Sequence, residues 1–119
     1  MEARKVQTQG QIQAQIAHKF VSGLVSEGKA GEYSSFSKSF PAVINNCGLA
    51  QAIAFGFAKK PPLDYMRHLA IVAGFKDQDA MADGCRNADV AEYLRLTRQT
   101  LKAATWLKRY SEALLGEVD

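Results

Sequence analysis

Between Lys38 and Lys59 the chain carries no charged residue, and the run from Ser39 to Ala58 is as long as a membrane-spanning helix requires. Its content argues against a span. Asn45, Asn46 and Gln51 would each place amide groups in hydrocarbon, and Pro41 and Gly48 interrupt the apolar pattern. A helix that is uncharged all round has one other home, the interior of a helical bundle. The run therefore predicts a central helix that starts at Pro41, bends at Gly48 and ends at Lys59-Lys60, before Pro61-Pro62.

The flanking segments repeat every three or four residues. Val6, Ile12, Ile16, Phe20 and Leu24, with Ala17 and Val21 beside them, predict an amphipathic helix from about Ala3 to Val25 whose other face holds the glutamines. A short helix is expected over residues 32–40, ending before Pro41, and another over Leu63–Val72, stopped at Gly74. Asp77 to Gly84 reads as a loop or single turn. Asp89 is the expected N-cap of a final helix of about 25 residues ending near Gly116. No segment alternates apolar and polar residues long enough for a strand. The fold class is all-α, a single compact bundle of five or six helices with a long C-terminal helix.

With 119 residues, the chain has material for one core, and residues 1–119 are expected to form a single helical domain. Fifteen Lys and Arg against twelve Asp and Glu give a net charge of +3, which permits a polyanionic partner without requiring one. Cys47 and Cys85 form no CxxC pair and are expected to be reduced and partly buried. The first residues lack the apolar core of a signal peptide, so the expected location is cytoplasmic, with no membrane partner.

Motifs for chemistry are incomplete. Residues 23–30 match the start of a phosphate-binding loop, but Ala30 stands where a hydroxyl would hold Mg²⁺, and the segment follows a helix instead of a strand. A helix cap followed by a turn accounts for it. Asp77, Asp79 and Asp83 suggest a calcium loop, yet Met81 and Ala88 occupy two ligand positions, leaving solvated carboxylates and caps. His18 and His68 have no companion at metal-ligand spacing. No catalytic residue, cofactor site or metal site is expected, and the chain reads as a non-enzyme.

The last helix is the informative segment. Between Arg95 and Arg109 lie five basic residues and no acidic one. At about 100° per residue, Arg95, Arg98, Lys102 and Arg109 fall within an arc of about 60°, with Lys108 off the stripe. Tyr93, Leu96, Thr100, Leu107 and Leu114 lie opposite, so burying them would turn the cations outward. Such a row suits phosphates, and Arg95, Arg98, Lys102, Arg109 and Lys108 are the candidate nucleic-acid-binding residues. Trp106, at the edge of the stripe, is expected to be packed rather than stacked on a base.

Two stretches carry a family resemblance. The pattern Pro41-x-x-Ile44-x-x-x-Gly48-Leu49-x-Gln51 and, after the Tyr93–Thr97 segment, the run Trp106-Leu107-Lys108-Arg109-Tyr110 resemble the small α-helical subunit of type III-B CRISPR effector complexes, the fifth Cmr subunit. The resemblance implies a noncatalytic building block of a ribonucleoprotein filament in antiviral defence. It would be present in several copies, pack against other subunits of the Cmr complex, and lie along guide and target RNA. Cys47 before Gly48 and the glutamine-rich first helix depart from that pattern. A second, local similarity links Asp89–Leu101 to the helix-turn-helix of excisionase-like DNA binders, with Arg98 and Gln99 reading base edges. That alternative needs a turn where Arg95 stands, and the unbroken apolar period from Val90 to Leu115 favours one long helix.

Overall fold

A computed structural model describes residues 6–115, which form six α-helices and no strand. Helix α1 spans Gln9–Ser22. Its start is set by a reciprocal capping box: Thr8 Oγ1 accepts from the Gln11 amide at 3.1 Å, and Gln11 Oε1 accepts from the Thr8 amide at 2.8 Å. The helix therefore begins later than its apolar period suggested and stops at Ser22. Val6 is 88% exposed, and the expected start near Ala3 lies outside the described residues. Gln13 is buried beside Ala17 and Val21, so the glutamines do not all share the outer face.

Helix α2, Ala30–Cys47, corrects the expected break at Pro41, because it runs straight through that proline. The missing amide removes one helical hydrogen bond. Against that, Tyr33, Ser37, Phe40 and Ile44 form one buried stripe that extends on both sides of Pro41, and it is interrupted if the helix ends there. The chain breaks instead at Gly48, where φ is +84° and ψ 160°, a conformation open to glycine and strained for other residues. Helix α3, Leu49–Lys59, follows. The charge-free run is thus two helices, and it is not buried all round: Asn45, Asn46, Cys47 and Gln51 face solvent, and Phe55 is 39% exposed. Cys47 is exposed, contrary to expectation, whereas Cys85 is buried.

The helix buried on most sides is α4, Tyr65–Ala73, in which Tyr65, Met66, His68, Leu69, Ala70, Val72 and Ala73 are all buried. The segment expected as a loop is helix α5, Gln78–Asn87, capped by Asp77, whose carboxylate accepts from the Ala80 amide at 2.8 Å. Met81 and Cys85, four residues apart, turn its apolar side inward. Helix α6, Val90–Leu114, begins where expected, with Asp89 accepting from the Glu92 amide at 2.9 Å. It packs against α1, α2 and α4, while α5 joins α3 to α4. Gln13 meets the Gln99 carbonyl and His18 meets Tyr110, so α1 and α6 run side by side in the same direction.

His68 lies in the core, stacked 4.1 Å from Phe20, with Nδ1 hydrogen-bonded to Tyr33 Oη at 2.8 Å. Burial, and secondarily the Arg67 charge, hold its imidazole down to about 4 from an ordinary 6.5, with Asp64 opposing. The unfolded chain then binds the extra proton first as pH falls, so stability is full above about 6.5 and is lost toward pH 4. Urea midpoints measured across that window should fall with acidification, and a His68→Leu variant should lose most of that slope. Leu107, fully buried on α6, should destabilise by about 2–4 kcal/mol when changed to Ala, with circular dichroism of the parent showing well over half of residues helical.

Candidate nucleic-acid interface

The inward face of α6 is Leu96, Thr100, Ala103, Ala104, Leu107 and Ser111, all buried. Burying that stripe sends the basic residues outward. Arg95, Arg98, Lys102 and Arg109 are exposed, and Lys108, expected off the stripe, is half-buried. Tyr93 and Leu114 lie at the margins of the packed face, and the Tyr93 hydroxyl accepts the Ala50 amide at 3.0 Å beside the Gly48 break.

The stripe is not electrically uniform. Glu92, one turn before Arg95, forms an ion pair with it, and Arg95 Nε lies 3.1 and 3.2 Å from the two carboxylate oxygens. Hydrogen bonding from Arg95 holds the Glu92 carboxyl below its usual range and raises the guanidinium above its own. At the other end, Arg109 Nη1 sits 3.7 Å from Glu112. Both acidic partners lie outside the interval from Arg95 to Arg109. Among the described residues, Arg98 and Lys102 take part in no ion pair, so the uncompensated charge is concentrated mid-helix.

The structure adds a wall that the basic stripe did not disclose. A cavity of about 220 Å³ opens between α6 and the start of α1, lined by Arg95, Arg98, Gln99 and Lys102 from one helix and Gln9, Gly10 and Gln13 from the other. Three of the five predicted residues meet there, while Arg109 and Lys108 lie farther along α6. Gln99 is fixed by its own bonds: Nε2 donates to the Ala73 carbonyl, and Oε1 accepts from Arg95 at 2.7 Å. With its amide so engaged, and with α6 unbroken through Arg95, the helix-turn-helix reading is not favoured. Trp106 is partly buried and stacks on Tyr110 at 5.8 Å, and the Tyr110 ring in turn makes a T-shaped contact with His18. The one signal for the α1 contribution was Gln13, which sits four residues before the apolar Ala17 and hence on its face.

The family model described as "CRISPR-associated protein (Cas_Cmr5)" matches residues 9–114, the span of all six helices. The chain belongs to the Cas_Cmr5 family. It is 35% identical over 114 residues to the CRISPR system Cmr subunit Cmr5 of Thermus thermophilus, covering 94% of this chain and all of that protein. The crystal structure of a CRISPR-associated Cmr5 family protein from the same organism superposes with a TM-score of 0.86 at 34% identity, over 92% of this chain and 99% of that one. The Pro41–Gln51 and Trp106–Tyr110 patterns thus pointed to the correct family. Both lie on structural features, since Gly48 makes the break between α2 and α3 and Leu107 fills the core under α6.

The Glu92–Arg95 pair is exposed and joins neighbours on one helix, where solvent and salt screen the attraction and leave it little effect on stability. A Glu92→Gln variant of this Cas_Cmr5 chain should therefore keep its thermal midpoint within a few degrees. Thermal unfolding of parent and variant followed by circular dichroism would show the comparison.

Proposed function

We propose that this chain is a noncatalytic structural subunit of a type III-B Cmr ribonucleoprotein effector complex acting in antiviral defence. It packs with the other Cmr subunits, in several copies, and presents the exposed face of α6 to the backbones of guide and target RNA. A cytoplasmic location goes with that role. The observation that carries the RNA contact is the outward row Arg95, Arg98 and Lys102, with Arg98 and Lys102 free of ion pairs among the described residues. Arg109 extends the basic surface along the helix, and Lys108, half-buried, lies to one side of it. Phosphate contacts of this kind attract a strand without reading its sequence, and base pairing between guide and target would supply the specificity. The subunit's assembly role draws on the Cmr name of its Thermus relative.

Three or four cations on one face neutralise about as many phosphates. Binding of the full chain to single-stranded RNA should be weak and independent of sequence, with log affinity falling against log salt at a slope of roughly −2 to −3. Reversing Arg98 and Lys102 together to Glu should abolish it without loss of helicity. Unchanged binding in that double variant would remove the RNA contact from the proposal and leave protein packing as the subunit's role. Purified protein should show no RNA or DNA cleavage with Mg²⁺, Mn²⁺ or Zn²⁺. Copurification from native cells should bring down Cmr subunits together with RNA.

A further inference from the structure

The charge-free run leaves one face that nothing else in the described residues covers. Apart from Gln51, helix α3 is apolar up to Lys59, the pattern of a helix enclosed on all sides, yet Ala54, Phe55 and Ala58 are exposed and Phe57 is half-buried. The face has relief on both flanks. On one flank a cavity of about 130 Å³ opens between α3 and α5, walled by Ala50, Ile53, Ala54 and Phe57 from the first helix and Ala82 and Cys85 from the second, with the Arg86–Asp83 ion pair at its rim. Hydrocarbon walls around a space of this order suit a benzene ring. On the other flank stands the Phe55 ring, 39% exposed, stacked on Phe36 at 6.3 Å and with the Lys59 ammonium 5.6 Å from its centre.

At about 100° per residue, Phe55 lies about 150° around α3 from the middle of the cavity wall, with Ala54 and Ala58 pointing outward between them. Along the helix axis the two features are level, because Ile53, Ala54 and Phe57 bracket Phe55. A knob and a hollow at equal height on opposite flanks of one face complement each other. A second copy related by a two-fold axis parallel to α3 lays its own α3 alongside, so that each Phe55 meets the other copy's cavity and the outward alanines let the backbones approach. Charge agrees with this arrangement. Gln78 shares a cavity with Phe57 and Lys60, which puts the acidic start of α5, Asp77 and Asp79, at the carboxyl end of α3. Lys59 stands at that level on the Phe55 flank, and the two-fold rotation carries it toward the acidic start of α5 in the other copy.

We infer that the exposed face of α3 docks a second copy of this chain, with Phe55 of each copy entering the cavity between α3 and α5 of the other. The inference rests on the several-copy part of the role proposed above, names the face through which two copies meet, and needs no RNA. Eleven residues make α3 only about 16 Å long. The contact is therefore at the small end of specific interfaces and forms where the local concentration is high, as it is within an assembly.

Sedimentation velocity of the full chain from about 10 μM to 1 mM, the range of a weak complex, should show monomer giving way to dimer. Ala54→Glu places a charge at an exposed position of the contact, twice over by symmetry. It should keep the parent's helicity and thermal midpoint and lose at least about tenfold in dimer affinity. Register is read by cross-linking in a Cys47→Ser background, since Cys47 is exposed. Ala58→Cys, close to the two-fold axis, should form a disulfide with its counterpart under mild oxidation severalfold faster than Ala91→Cys, which is exposed on α6. The Arg98→Glu, Lys102→Glu double variant should dimerise like the parent, which separates this contact from the RNA-binding face. A chain that stays monomeric throughout, a dimer that Ala54→Glu leaves intact, or equal cross-linking at the two positions overturns the inference. So does a monomeric parent whose Ala54→Glu variant no longer copurifies with another Cmr subunit, because the face then belongs to that subunit. Native copurification that brings down no Cmr subunit overturns the proposed role instead, and a dimer sensitive to Ala54→Glu still supports the contact.

Discussion

Burial of one face of α6 determines where almost everything else sits. Leu96, Thr100, Ala103, Leu107 and Ser111 recur at intervals of three and four, and three helices pack around that stripe. Its centre is made of small residues, with Ala103 and Ala104 fully buried, so neighbouring backbones can come close. Leu107 supplies the bulk beneath them. Once this face is inward, the opposite side chains have no choice of environment, and Arg95, Arg98, Lys102 and Arg109 point to solvent as a consequence of core packing.

Gln99 converts that packing into a fixed geometry at the basic face. Its side chain donates to the last carbonyl of α4 and accepts from Arg95, and its own carbonyl accepts from Gln13 on α1. Three helices are thereby tied at one residue. Gly74 is fitted to the same point, with φ at +102° ending α4 and a position where an added Cβ would lie 2.9 Å from Gln99 Nε2. A polar side chain half inside the fold thus does what an apolar one could not, because it holds Arg95 in place while closing the end of α4.

The all-helical class, the Asp89 cap, the length of α6 and the outward direction of its cations were all legible in the sequence, because each depends on a local period or a local cap. The failures share a different cause. Pro41 and the Asp77–Gly84 segment looked like breaks when judged by residue type, yet tertiary burial on both sides of Pro41 keeps α2 whole, and Met81 with Cys85 anchors α5. Absence of charge was read as complete burial, although amides and small side chains serve equally well at exposed positions of α2 and α3, and α4 is the helix that is enclosed. At the candidate site, Arg95, Arg98 and Lys102 could be found from one helix. The spacing of Gln13 from Ala17 put it on the inner face of α1, but that α1 lies parallel to α6 and brings Gln13 and Gly10 to the basic residues could not be read from spacing within a single helix.

The charge along α6 is compensated at its ends and not in its middle. Glu92 and Glu112 pair with the cations at the two ends of the stripe, which limits repulsion along α6 and leaves the net positive field in the middle. The amino-terminal end of α1 faces the same point, so two sources of positive potential meet across one cavity. Separately, either is tolerated at a protein surface in salt. Together they are mildly unfavourable in the free protein, and neither α1 capping nor α6 packing requires them to coincide. An anion between them would offset both at once, and any ligand that binds only the folded chain stabilises it by an amount that grows with the logarithm of its concentration above Kd.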